Sequence, residues 1–181
     1  MLKEKKEKYQ PAVCDHCGLQ TTYPLAVDRG TALIVKALSV AIRNKGINIV
    51  HPRKEMEVSR KDWSFARCIN EGKVTSSMIC NFIRPKTHGL IAPVKGEAGN
   101  WCLTKKGLAF LQGEPILKYV IARKTSKKTG RSHNGGYWGT EMVTIDQFNK
   151  GGDFWEPIGY TIQEGRVVHD LPVKPKTATL L

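Results

Sequence analysis

The run Cys14-Asp15-His16-Cys17-Gly18 sets two thiols three positions apart with a glycine directly behind them. Two thiolates at that spacing grip one metal ion, and the glycine permits the tight turn that aims backbone amides at sulfur. The metal expected at Cys14 and Cys17 is a structural zinc. Only half a shell is written, since structural zinc takes four ligands and the chain has no second C-x-x-C. His16, His51 or the same pair from a second copy could complete it, and the sequence does not choose. A redox pair and inert thiols are the other readings, the redox one weakened because no thioredoxin-like βαβ pattern surrounds the motif. Cys68 on an apolar face and Cys102 within a strand read as core thiols, and Cys80 borders a packed helical arc.

A second chemistry is written in basic and amide side chains. The pattern predicts a helix from about Thr75 to Arg84, ended by Pro85, with Met78, Ile79, Phe82 and Ile83 on one arc. Ser77, Asn81 and Arg84 then share the opposite face, where Asn matches the edge of adenine and Arg that of guanine. Around them Lys73, Lys86, Lys105 and Lys106, with Lys95 in a turn, suit phosphate contacts that position a protein without reading sequence. No acidic residue lies between Gly72 and Gly96. A merely solvated polar face is the competing reading.

Between Glu114 and Glu141 there is again no acid, while Lys118, Arg123, Lys124, Lys127, Lys128 and Arg131 all fall there. Ile116 to Ala122 reads as a strand that enters a Thr, Ser and Gly-rich hairpin tip. Arg123, Lys124, Lys127, Lys128 and Arg131 are expected to bind phosphate. Tyr137 and Trp138 either stack on bases, as in single-strand binders, or pack at the hairpin base, and packing is the expected role. Enzyme signals are poor. Glu71-Gly72-Lys73 matches a short nuclease half-motif that arises by chance, and no phosphate loop, H-E-x-x-H or G-x-S-x-G occurs.

The elements that must carry these groups are legible in part. Asp28 is a helix cap, followed by an apolar stripe of Leu33, Ile34, Ala37, Leu38, Ala41 and Ile42, with Gly46 as the stop. Ile47 to Val50 reads as a short strand, and a second helix is expected after Ser59. Gly89 to Val94 and Trp101 to Thr104 read as a hairpin, and Thr104 caps a helix over Lys105 to Gln112. Strands are expected near Thr140–Ile145 and Arg166–Leu171, with aromatics at Phe148, Phe154, Trp155 and Tyr160.

Composition bounds the rest. The 181 residues suffice for one domain plus appendages, and 29 Lys and Arg against 16 Asp and Glu give a net charge of +13. Such an excess is the footprint of a polyanion binder. It is uneven: residues 1–131 hold 25 basic and 10 acidic side chains, 132–181 four and six. The longest apolar stretch, Ala32 to Ile42, is interrupted by Lys36, so no membrane anchor is expected. MLKEKKEKYQ leads into no apolar segment, which points to the cytoplasm, where five cysteines are thiols or ligands rather than disulfides.

The run from His88 to Leu111, HGLIAPVKGEAGNWCLTKKGLAFL, resembles the end of the winged helix-turn-helix domains of bacterial and mobile-element regulators. In those domains a recognition helix leads into Gly-Leu-Ile, a basic wing lies between two strands, and a Leu-Thr-x-x-Gly-x-x-x-Leu helix closes the unit. The resemblance implies an α+β fold with a winged-helix core over 28–113. It is preceded by a basic arm and zinc-knuckle-like C-x-x-C over 1–27, and followed by a β-rich module over 114–171 and a tail over 172–181. Pro85 departs from the pattern, which implies a shorter or kinked recognition helix. The function expected is DNA binding, as a transcriptional regulator or accessory factor, with duplex DNA as partner and a homodimer or protein partner in reserve. A protein adaptor and a metal-dependent nucleic-acid enzyme are the alternatives.

Overall fold

The computed structural model describes residues 9–56, 71–124, 132–149 and 158–170. The chain is α+β, a mixture of helices and small antiparallel sheets. The expected second helix after Ser59, together with Phe154, Trp155 and the tail, lies outside the described residues.

Helix α1, Arg29–Lys45, forms where expected. The Asp28 carboxylate accepts from the Thr31 amide and hydroxyl, both at 2.7 Å, and Gly46 closes the other end. Its burial exceeds the predicted stripe, because every residue from Thr31 to Ile42 is buried. An element apolar on nearly all sides belongs at the centre, and α1 is the axis of the core. Each fully buried Leu or Ile there contributes about 1.5–3 kcal/mol.

A single π-helical turn, Pro52–Met56, follows α1. The helix expected over 75–84 is instead two short ones, α2 (Ser76–Cys80) and α3 (Ile83–Thr87), with the break at Asn81 and Phe82. Pro85 causes the break without ending the structure. A helix running through it would drive its ring into the carbonyl of Asn81 and leave that oxygen unpartnered. The chain restarts so that Pro85 falls in the first turn of α3, where no amide is needed, and Asn81 O accepts from the Arg84 amide at 3.0 Å.

Strands β2 (Ile91–Pro93) and β3 (Trp101–Leu103) form the expected hairpin. The expected strand at Ile47–Val50 is reduced to single bridges, Ile47 to Arg166 and Val50 to Trp101. The Asn48 side chain extends the second of these, because its amide donates to Leu103 O and accepts from Leu103 N, each at 2.8 Å. Helix α4, Lys105–Leu111, is capped by Thr104, whose hydroxyl accepts from Gly107 N at 3.0 Å and meets Gly89 O at 2.7 Å. Gly107 is required by close approach: a Cβ there would stand 2.0 Å from Leu90 O.

The remaining strands are β4 (Ile116–Leu117), β5 (Tyr119–Lys124), β6 (Ser132–Tyr137), β7 (Met142–Val143), β8 (Tyr160–Gln163) and β9 (Arg166–Asp170), with a 3-10 turn at Ile145–Phe148. Strand β1, Thr22–Ala26, pairs with β5 in the order β1-β5-β6, so the segment before Asp28 joins the later β-rich part. Pro24 is tolerated because β1 is an edge strand. The β-rich part also shares the core of α1, since Ile116, Val143, Ile145, Ile158 and Tyr160 are buried with it. The Tyr160 hydroxyl donates to Ser39 O at 2.9 Å.

Candidate nucleic-acid interface

Helix α2 starts at Thr75, whose hydroxyl accepts from Met78 N at 3.3 Å and lies 2.8 Å from the Ser77 hydroxyl. Met78 and Ile79 pack against the core, while Ser77, Cys80 and Asn81 are exposed. Asn81 Nδ2 donates to Ser77 O at 3.0 Å. Ser77 and Asn81 therefore share the face expected of them.

Arg84 does not join that face. The break at Asn81 and Phe82 rotates α3 relative to α2, and the Arg84 guanidinium forms an ion pair with Asp28 Oδ2. Phe82, between the two helices, is buried edge-to-face against Trp101 at 5.3 Å. Lys86 follows on α3, half-buried and without an ion pair to a described residue.

The remaining expected cations divide into three groups. Lys73 is paired with Glu71 at 2.8 Å. Lys95 lies exposed on the β2–β3 turn with Glu97 two residues on, and Lys105 is exposed at the start of α4. Lys106 Nζ donates to His88 O and to the Tyr137 hydroxyl, both at 2.9 Å, and sits 4.9 Å from the Tyr137 ring centre. That contact ties the start of α4 to the end of β6, which also packs beside α3.

Tyr137 and Trp138 part company. Trp138 packs edge-on between Tyr9 at 5.7 Å and Tyr119 at 5.2 Å, whereas Tyr137 is 50% exposed. Sequence reasoning treated the pair alike, whereas β6 ends at Tyr137 and Trp138 follows it. At the far end of the sheet Arg123 is exposed opposite Thr22. Ser132 pairs with Lys124 there, five residues from Tyr137, or about 17 Å at ~3.4 Å per residue. The two basic groups thus occupy opposite ends of one strand pair. Lys127, Lys128 and Arg131, and the side chain of Lys124, lie outside the described residues.

Beneath the α3–α4 junction His88 is fully buried, and neither ring nitrogen makes a hydrogen bond of ordinary geometry to a described residue. Burial, with the Lys106 cation beside it, holds its pKa down at about 4, against the opposing pull of Asp28 and the backbone of Ala26 and Leu25. His88 is therefore a neutral structural group at neutral pH.

Cys14 and Cys17 stand on a tight hairpin closed by the bridge between Val13 and Gln20. Among the described residues no group of three or more His, Cys, Asp or Glu is assembled to hold a metal ion. Cys102 is accounted for otherwise, because its thiol donates to Ala92 O at 3.5 Å and burial pushes its pKa up. No helix among the described residues is long and apolar enough to cross a membrane. Comparison with family models, curated proteins and solved structures gave no match.

Proposed function

We propose that the chain is a DNA-binding protein, a regulator or mobile-element accessory factor, that prefers certain duplex sequences through a winged-helix unit over about 28–113. The observation that carries this reading is the exposed Ser77 and Asn81 face of α2, with Lys86, Lys95 and Lys105 on the elements that follow and unpaired with any described acid. The element order supports it. A central helix, a bridge from Val50 to β3, a helix pair, a β2–β3 wing and a closing α4 follow one another as in winged helix-turn-helix domains.

In this reading Asn81 and Ser77 touch base edges, while Lys86, Lys95 and Lys105 hold phosphates. The break before Pro85 leaves only one turn of α2 to enter a groove, so the contact is shallow and few bases are read. Arg123 adds sequence-independent affinity from the far end of the sheet, and Lys124, Lys127, Lys128 and Arg131, which follow it in sequence, add to it. Selection from a randomised duplex pool tests the reading. A short enriched motif is expected, and a pool that binds but never enriches would overturn the sequence preference.

A further inference from the structure

We propose that Cys14 and Cys17 are half of a tetrathiolate zinc site that a second copy of this chain completes. The backbone around them is folded as a tight turn closed by the bridge between Val13 and Gln20. Cys14 N donates to Leu19 O at 2.8 Å, Gly18 N donates to Cys14 O at 2.7 Å, and Gly18 holds a φ of 64°, open to glycine at little cost. These bonds hold both cysteines within one tight hairpin turn, Cys17 exposed and Cys14 half-buried, before any metal arrives.

The chain supplies no closure of its own among the described residues. His16, which lies between the two cysteines, forms no group of three with them. Cys102 is committed to the β2–β3 hairpin, and Cys80 stands on α2. Two thiolates leave a structural zinc two ligands short, and a twofold-related turn supplies the missing pair in the same geometry.

The surface around the turn fits a second copy. Val13 and Leu19, one on each leg of the hairpin, are each 54% exposed, and they are the most exposed large apolar side chains among the described residues. Two turns meeting through a shared metal would cover all four. Charge also fits. Four thiols lose four protons as they bind Zn2+, so the centre carries two negative charges, which offset repulsion between chains of net charge +13.

The test is metal content and molar mass of the purified full chain, loaded with zinc and then treated with a chelator. The expected result is one zinc per two chains and a dimer that returns to monomer on chelation. Cobalt in place of zinc should give the intense near-ultraviolet charge-transfer bands of a tetrahedral thiolate centre. Cys17→Ser should lose both metal and dimer while its far-ultraviolet dichroism matches the parent, and Cys80→Ser should keep both. One zinc per chain at unchanged mass, a dimer indifferent to chelation, or no metal at all would each overturn the shared site.

Discussion

Arg84 forms an ion pair with Asp28, the residue that caps α1, so the helix pair proposed to face DNA is anchored to the start of the central helix. One carboxylate serves two elements: Oδ1 holds the Thr31 amide and hydroxyl, and Oδ2 holds the guanidinium. Both side chains are 42% exposed, which limits the pair's worth to about 0.2–1 kcal/mol. Asp28→Ala should cost more than Arg84→Ala, because it removes the cap as well, about 1 kcal/mol further. Urea denaturation of both variants measures the difference; equal losses would mean that the cap contributes nothing.

Asn81 and Lys86 are expected to separate reading from holding. Asn81→Ala should lower the affinity for a selected duplex by roughly 1–3 kcal/mol and leave random duplex nearly unchanged. Lys86→Ala should weaken both equally. Titrations of the two variants on the two duplexes decide it, and an equal loss for Asn81→Ala would reduce that residue to a phosphate contact.

His88 gives stability a defined dependence on pH. The unfolded chain takes up a proton near the ordinary value of 6.5, the folded chain only near 4. Between those values the unfolded state binds more protons, so stability is full above about 6.5 and falls as pH drops toward about 4. At pH 4.5 the loss due to this group should be on the order of 2–3 kcal/mol. His88→Leu should remove that part of the decline; parallel declines in parent and variant between pH 7 and 4.5 would assign it to other groups.

Gly107→Ala should be among the most damaging small substitutions in the chain, since the added methyl group meets the Leu90 carbonyl at 2.0 Å. A loss of roughly 2–3 kcal/mol is expected as α4 shifts off the turn after α3. Lys105→Ala, two residues away and exposed, should change stability by less than about 0.5 kcal/mol. Thermal melts of the two variants check this, and similar melting points would contradict the close packing.

The sequence spoke most clearly where structure is local. Asp28, Gly46 and Thr104 mark their helix ends because capping depends on residues within a turn of one another. Strand β1 escaped notice because its pattern is short, contains Pro24, and gains its meaning from β5, on which Thr22 meets Arg123. Arg84 was misplaced by a helical wheel that assumed one continuous helix, although Pro85 itself signalled the break. The Lys106–Tyr137 contact joins residues that no periodicity relates. For the cysteine turn the sequence yielded the ligand type and spacing, and the backbone bonds of Cys14 and Gly18 add the shape.

The central claim is that uncommitted cations hold duplex phosphates, and its most direct test is the slope of log affinity against log salt on random duplex. Lys86, Lys95, Lys105 and Arg123, if each meets one phosphate, give a slope of roughly −3.6 at ~0.9 per contact. That slope is a loss of roughly 150-fold in affinity between about 50 and 200 mM salt. The account predicts a slope at least that steep, with the Lys86→Ala, Lys105→Ala double variant shallower by about 1.8. A flat slope, or binding to duplex that the double variant leaves unchanged, would contradict it.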